Sequence, residues 1–283
     1  MSGYELLAPA LAGCGRERFT GELRIAGSPG GTVHLRDGLV VAGESPGAPG
    51  PEALLLRSGR VSGEQWAELV RESGGARWPA TGLVAHGYAG AAQLKVVCVM
   101  ALHDAAFAIA AGRTDGCERA PAAEPFAQVA VGESPSRLLR ETARRLAALA
   151  ALPHPVHPDR ERPVPVSPSD TGEGPRPLSE LRRELLAHAD GRRTARDLAF
   201  RTGRGVYTVT VEVARMLAEG LLRCPPEPLP IPVLRTPPDS GGVRPRTPGP
   251  PPGPHPSPPP AIPAALPRRR PGGFFRLRNG IPK

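Results

Sequence analysis

Two hydrophobic periods follow one another along the N-terminal part of the chain. In residues 21–25, Leu23 and Ile25 alternate with Glu22 and Arg24; in residues 32–36, Val33 and Leu35 alternate with Thr32, His34 and Arg36. Alternation at period two predicts half-buried strands. Asp37-Gly38 supplies the two positive-φ positions of a tight hairpin, so residues 32–36 are expected to fold back onto the apolar run at residues 39–42. Gly30-Gly31 marks the turn between the first two strands, and a short helix over residues 4–13, ending near Gly13, precedes them.

Helical spacing then takes over. Pro51 at a first helical position opens a helix that stops before Gly59. Ser62 and Gln65 form a capping-box pattern for a helix through Val70, ended by Gly74-Gly75. Leu94, Val97, Cys98, Ala101, Leu102, Ala105 and Ile109 recur at helical spacing within residues 91–111. Gln93, Lys95, His103 and Asp104 interrupt that run, which therefore reads as an amphipathic helix and not a membrane span. A further helix over residues 136–152 gathers Leu138, Leu139, Leu146 and Leu149 on one side. These elements predict an α+β domain over residues 1–152, a β-hairpin or meander packed with helices.

Residues 153–177 are proline-rich without apolar periodicity, which predicts an extended, mobile linker. Residues 225–283 hold 21 of the 38 prolines and read as a disordered tail. Between them, residues 178–224 predict three helices. Ser179 caps the first, which Asp190-Gly191 ends. Thr194 with Asp197 caps the second, which Gly203 breaks. The third covers residues 206–219, and Leu221-Leu222-Arg223 begins a short wing strand. The pattern Asp190-Gly191, Thr194, Asp197-Leu198-Ala199 and Gly220-Leu221-Leu222 resembles winged helix-turn-helix domains.

That resemblance implies a third helix able to enter the major groove of double-stranded DNA, and it also fits a protein-docking module. Arg192, Arg193, Arg196 and Arg204 are the candidate phosphate contacts; Tyr207, Thr208, Thr210 and Arg215 are the candidate base contacts. Against them, Glu212 and Glu219 share the expected outward face of the third helix. The net charge of +9 is weak support, because it sits mainly in the tail: residues 225–283 carry nine basic and two acidic groups. Of the basic residues only Lys95 and Lys283 are lysine, as in very GC-rich genomes, so arginine here is a poor sign of phosphate recognition.

The chemistry of catalysis finds no pattern. Residues 27–31 are glycine-rich but lack a P-loop ending, no dinucleotide fingerprint opens a helix, and no nucleophile elbow is present. His103, beside Asp104 on an otherwise apolar helix, reads as a packing residue and not a base, and His188 and Asp190 as local capping. Cys14, Cys98, Cys117 and Cys224 are scattered without ligand spacing, which suits reduced thiols in the cytoplasm. No cofactor, metal or small-molecule substrate is expected, and no enzyme.

The N-terminal pattern Thr20-Gly21-Glu22-Leu23-Arg24-Ile25, Gly31 through Ala42, then Pro51-Glu52-Ala53-Leu54-Leu55 resembles the PATAN-type domain of bacterial regulators, over roughly residues 4–75. The resemblance implies a domain that contacts proteins in two-component and small-GTPase signalling assemblies. Joined to a helix-turn-helix, it is similar to actinobacterial proteins described as transcriptional regulators, although no receiver domain is present. Thr32, His34 and Arg36, the outward side of the hairpin strand, are the candidate partner contacts. Two readings stay open: a regulator that binds DNA through residues 178–224, and a signalling adaptor whose modules both dock proteins.

Overall fold

A computed structural model describes residues 3–75, 78–123, 125, 127, 132–166 and 177–225. The tail expected over residues 225–283 lies, but for its first residue, outside the described residues, as do residues 167–176 of the expected linker.

The fold is α+β around one antiparallel sheet. Helix α1 (Gly3–Arg16) buries Leu7, Leu11 and Cys14 and continues past Gly13, where the sequence predicts its end. The two late glycines serve packing instead: a Cβ on Gly15 would stand 3.0 Å from Pro135 Cγ, and one on Gly13 would stand 3.3 Å from the Arg119 guanidinium. Strands β1 (Gly21–Ser28), β2 (Gly31–Arg36), β3 (Leu39–Glu44) and β4 (Arg113–Ala120) lie in the order β3-β2-β1-β4. Arg36 pairs with Leu39, which leaves Asp37-Gly38 as a two-residue turn. Their φ values of 50° and 77° are the left-handed pair such a turn requires. Strand β4 has no counterpart in the sequence reading. Arg-Thr-Asp-Gly-Cys-Glu-Arg-Ala lacks alternation, and only its pairing with β1 makes it a strand. Its charges suit an edge.

Helices α2 (Pro51–Arg57), α3 (Gly63–Glu72) and α4 (Ala80–Ala85) enclose Leu55, Val61, Trp66, Leu69 and Leu83. The capping box of α3 is complete: Ser62 Oγ accepts from the Gln65 amide at 3.1 Å, and Gln65 Oε1 accepts from the Ser62 amide at 2.8 Å. Helix α5 (Ala91–Ala111) is the common spine. It gives Leu94 to this small cluster, Cys98, Leu102 and Ile109 to the core under the sheet, and Phe107 and Ala108 to a third cluster. Its second half is therefore buried all round, which explains why it is too apolar for the amphipathic helix the sequence suggests. By length and composition α5 could cross a bilayer, but 61% of its most apolar window is buried inside the protein.

Helix α6 (Pro135–Ala150), capped by Ser134, buries Leu138, Leu139 and Leu149. Beyond it the expected linker is structured as far as residue 166. Val156 is buried, and β5 (Val164–Pro165) pairs with β6 (Leu222–Arg223). Proline removes a donor but keeps its carbonyl. Pro158 accepts from the Arg196 amide at 2.7 Å and Pro163 from the Gly191 amide at 3.0 Å, so the segment acts as an acceptor strap.

Helices α7 (Glu180–His188), α8 (Ala195–Thr202) and α9 (Val206–Ala218) follow with the expected caps at Ser179 and Thr194. Gly203 ends α8 in the left-handed region at φ 64°. Leu185, Leu198, Val206, Val209, Val213 and Met216 form one cluster with Phe107, Ala108, Leu149 and Val156. The core of the C-terminal helices is thus continuous with α5 and α6, and residue 152 does not separate two cores.

Candidate functional site

The polar centre of the molecule lies where α5, α6 and α9 meet. Asp104 stands on α5 among apolar neighbours and is 5% exposed. Its carboxylate accepts from Arg145 Nη1 at 2.9 Å and faces the backbone amides of Tyr207 and Val206, in the first turn of α9, which draw its pKa down. Gly205, the residue before α9, has no side chain with which to cap. Asp104 stands at the start of the helix from another element, in the place that a capping acceptor takes. The fit is close: a Cβ on Gly205 would lie 2.2 Å from Asp104 Oδ2.

Arg145 ties the junction together. Besides Asp104 it donates through Nε to Glu141 at 2.9 Å, and its guanidinium lies 4.9 Å from the Tyr207 ring centroid. Tyr207 also meets Phe107 edge to face at 5.2 Å. Burial pushes the Asp104 carboxyl above its usual range, against the pull of Arg145 and the two amides. Glu141 goes the other way. Hydrogen bonds from Arg144, and then from Arg145, overcome its partial burial and hold it down to about 2. His103 points from α5 to Glu133, with Nε2 and Oε2 3.1 Å apart. Burial lowers the His103 pKa more than Glu133 raises it.

These placements correct the expected DNA-reading set. Thr210 is fully buried and donates to the Val206 carbonyl at 2.7 Å. That bond hides its hydroxyl, so a β-branched residue serves as core. Tyr207 is half-buried in the junction. Thr208 and Arg215 are exposed, Arg215 Nη1 lying 3.6 Å from Glu212. Glu212 is itself turned inward, accepting from Arg182, which also donates twice to Glu219. Among the arginines, Arg193 donates to the His188 carbonyl and to Asp190 at 3.0 and 2.8 Å. Arg192 and Arg204 are exposed, Arg196 is half-buried, and the last two lie 3.9 Å from Glu184 and Asp197 respectively. The expected cluster is therefore split: Arg193 is an internal tie, and Arg192, Arg196 and Arg204 remain near the surface with Arg201.

The partner strip on β2 is also split. Arg36 is exposed, Thr32 is half-buried, and His34 is 6% exposed. Its Nδ1 lies 3.6 Å from Glu22 Oε1 and its Nε2 lies 3.7 Å from Glu44 Oε1. Glu22 is 5% exposed and bound by Arg24 at 2.8 Å. His34 is buried between two carboxylates of neighbouring strands, beyond hydrogen-bond distance of either, and is not an outward contact. Cross-strand pairing alone places it there: Glu22 and His34 are directly opposite.

Thr32 also lines a groove of about 860 Å³ bounded by β2, β3, residues 45–50, α2, α5 and Phe200. Its walls are mostly Gly, Ala and Pro, with Glu44, Glu52 and Arg57 as the charged side chains. They supply no nucleophile paired with a base. Among the described residues no group of three His, Cys, Asp or Glu side chains is arranged to hold a metal ion. Asp104 and Arg145 form the buried pair at this junction, and no sequence motif marks them. The available signal was a lone carboxylate in an apolar helix, which needs a buried partner. No family model, curated protein or solved structure matches the chain.

Proposed function

We propose that the chain is a non-enzymatic, cytoplasmic regulatory adaptor, in which a PATAN-like domain and a winged-helix module form one body that docks proteins. The observation that carries this reading is the position of α9. A winged helix that reads DNA presents the N-terminal residues of its third helix to base edges. Here that turn is faced by Asp104, and its Tyr207 ring lies against Arg145 and Phe107. The helix serves the junction within the protein and leaves Thr208 and Arg215 as its exposed candidates.

The second reading, a transcriptional regulator, draws support from the surface arginines Arg192, Arg201 and Arg204. It needs α9 withdrawn from α5. Fluorescence anisotropy with a labelled mixed-sequence duplex at low salt separates the two. The adaptor predicts no saturable binding by the full chain. Saturable binding that weakens steeply with salt and is lost in R192E/R204E would establish the DNA reader instead. Binding gained only on Asp104→Ala would mean a DNA reader held closed by this junction.

A further inference from the structure

Helix α5 leaves one face of its first half uncovered. Val96, Val99 and Met100 are 56%, 38% and 48% exposed, and they are three of the six large apolar side chains exposed among the described residues. With His103 they follow the i, i+3, i+4, i+7 spacing of one helix face, about 10 Å long at the helical rise. The next position along this face is Phe107, which Tyr207 covers. The stripe is therefore a core-like face whose covering stops half way.

His103 carries the stripe into a recess of about 340 Å³ lined by Arg137, Arg140, Glu141, Arg144 and Arg145. The cations stand over the carboxylates that pair with them. Arg137 and Arg144 are 77% and 64% exposed, whereas Glu133 and Glu141 are 11% and 26% exposed. Arg140 is exposed with no partner among the described residues, and Lys95 is exposed one turn before Val99. An apolar stripe with a cationic edge faces solvent.

We infer that this face of α5 and the arginine edge of α6 form a docking groove for an amphipathic α-helix of another protein. Its apolar stripe lies on Val96, Val99 and Met100, and its acidic flank lies on Arg137, Arg140 and Arg144. Charge complementarity selects that occupant. Residues 225–283 carry nine basic and two acidic groups, a poor charge match for the arginine edge. The width of a single stripe matches one helix laid in a groove, and a methionine at its centre adapts to varied apolar side chains. The inference rests on the adaptor reading for the class of partner; its apolar stripe lies outside the Asp104 junction, while its recess shares Glu141 and Arg145 with it.

Two fluorescein-labelled peptides test it. Both are alanine-based helices with leucines at i, i+3, i+4 and i+7; one carries a row of glutamates on a flank, the other lysines. The full chain should bind the glutamate helix at least about tenfold more tightly than the lysine helix, the sum of several exposed charge pairs. Met100→Glu should abolish that binding. R140E/R144E, changed only at exposed positions, should reverse the preference. Equal binding of the two helices, binding of neither, or an unchanged preference in R140E/R144E overturns the inference. Binding of phosphatidylglycerol vesicles in place of either peptide overturns it in favour of a membrane surface. Dimerisation lost in Met100→Glu overturns it in favour of a second copy. A chain that ignores both peptides and the duplex loses this groove and keeps the adaptor reading.

Discussion

Replacing Asp104 tests the central claim that α9 is capped from α5. Asp104→Ala removes the carboxylate that faces the Tyr207 and Val206 amides and leaves Arg145 with Glu141 as its carboxylate partner. Loss of a helix cap costs about 1 kcal/mol, and a buried donor left unsatisfied costs about 1–3 kcal/mol. Water reaching the vacated space recovers part of this, so we expect a total of about 2–4 kcal/mol. Asp104→Asn keeps an acceptor oxygen and should cost about 1 kcal/mol or less, because desolvation outweighs attraction for the charged group. Urea unfolding measures both, and amide exchange at Val206 and Tyr207 locates the effect. Gly205→Ala supplies a second arm. Its Cβ strikes Asp104 Oδ2 in the wild type, so it should cost about 1–3 kcal/mol there and clearly less in Asp104→Ala.

The sign of the pH effect follows from the raised carboxyl. The folded state holds the Asp104 proton more tightly than the unfolded chain does. The stability this group contributes is full below the unfolded aspartate value of about 3.9 and is lost as pH rises through the folded value. Asparagine cannot ionise, so stability of Asp104→Asn relative to wild type should improve as pH is raised across that window. Equal costs for Ala and Asn, or additive costs for Asp104→Ala and Gly205→Ala, would refute the cap.

Two further outcomes follow from packing. Gly203 combines a φ of 64° with a Cβ position 1.9 Å from Arg57 Cβ, so Gly203→Ala should cost more than about 1–2 kcal/mol in urea unfolding, beyond a purely conformational penalty; a cost below about 1 kcal/mol would mean α2 and α8 are not held this closely. His34→Ala should cost about 1–3 kcal/mol by leaving Glu22 and Glu44 without their shared neighbour, whereas Arg36→Ala should stay within about 0.5 kcal/mol; similar thermal shifts for the two would return His34 to the surface.

Local chemistry was the legible part of this sequence. The Asp37-Gly38 turn, the Ser62/Gln65 and Thr194/Asp197 boxes and the Gly203 stop each depend on neighbours a few residues away, and each forms as its residues require. What could not be read depends on distant partners. Strand β4 exists because β1 offers it an edge, and the strap over residues 156–165 is ordered by amides from residues near α8. Thr210 carries a polar label at a core position because its hydroxyl is satisfied one turn back. Helical periodicity gave the right helix for α9 and most of its outward face, with Thr208, Arg215 and Glu219 exposed, but it placed Thr210 outward where α9 buries it. Asp104 was visible only as an anomaly. Its meaning came from an amide pair about a hundred residues away.

Arginine accounts for 34 of the 36 basic residues, so its presence at a position says little and its partners say most. Arg145, Arg182 and Arg193 are internal ties, each bound to carboxylates or carbonyls. Exposed arginines gather in two places. One is the surface of α8 and its flanks, with Arg192, Arg201 and Arg204; the other is the edge of α6, with Arg140 between Arg137 and Arg144. A duplex needs the first, together with a helix end free to enter a groove, and that end is occupied. An acidic helix needs the second, together with an apolar stripe, and Val96, Val99 and Met100 provide one. The same spine, α5, thus closes one surface with Asp104 and leaves the other open one and a half turns away, and on that difference we propose a protein partner and not DNA.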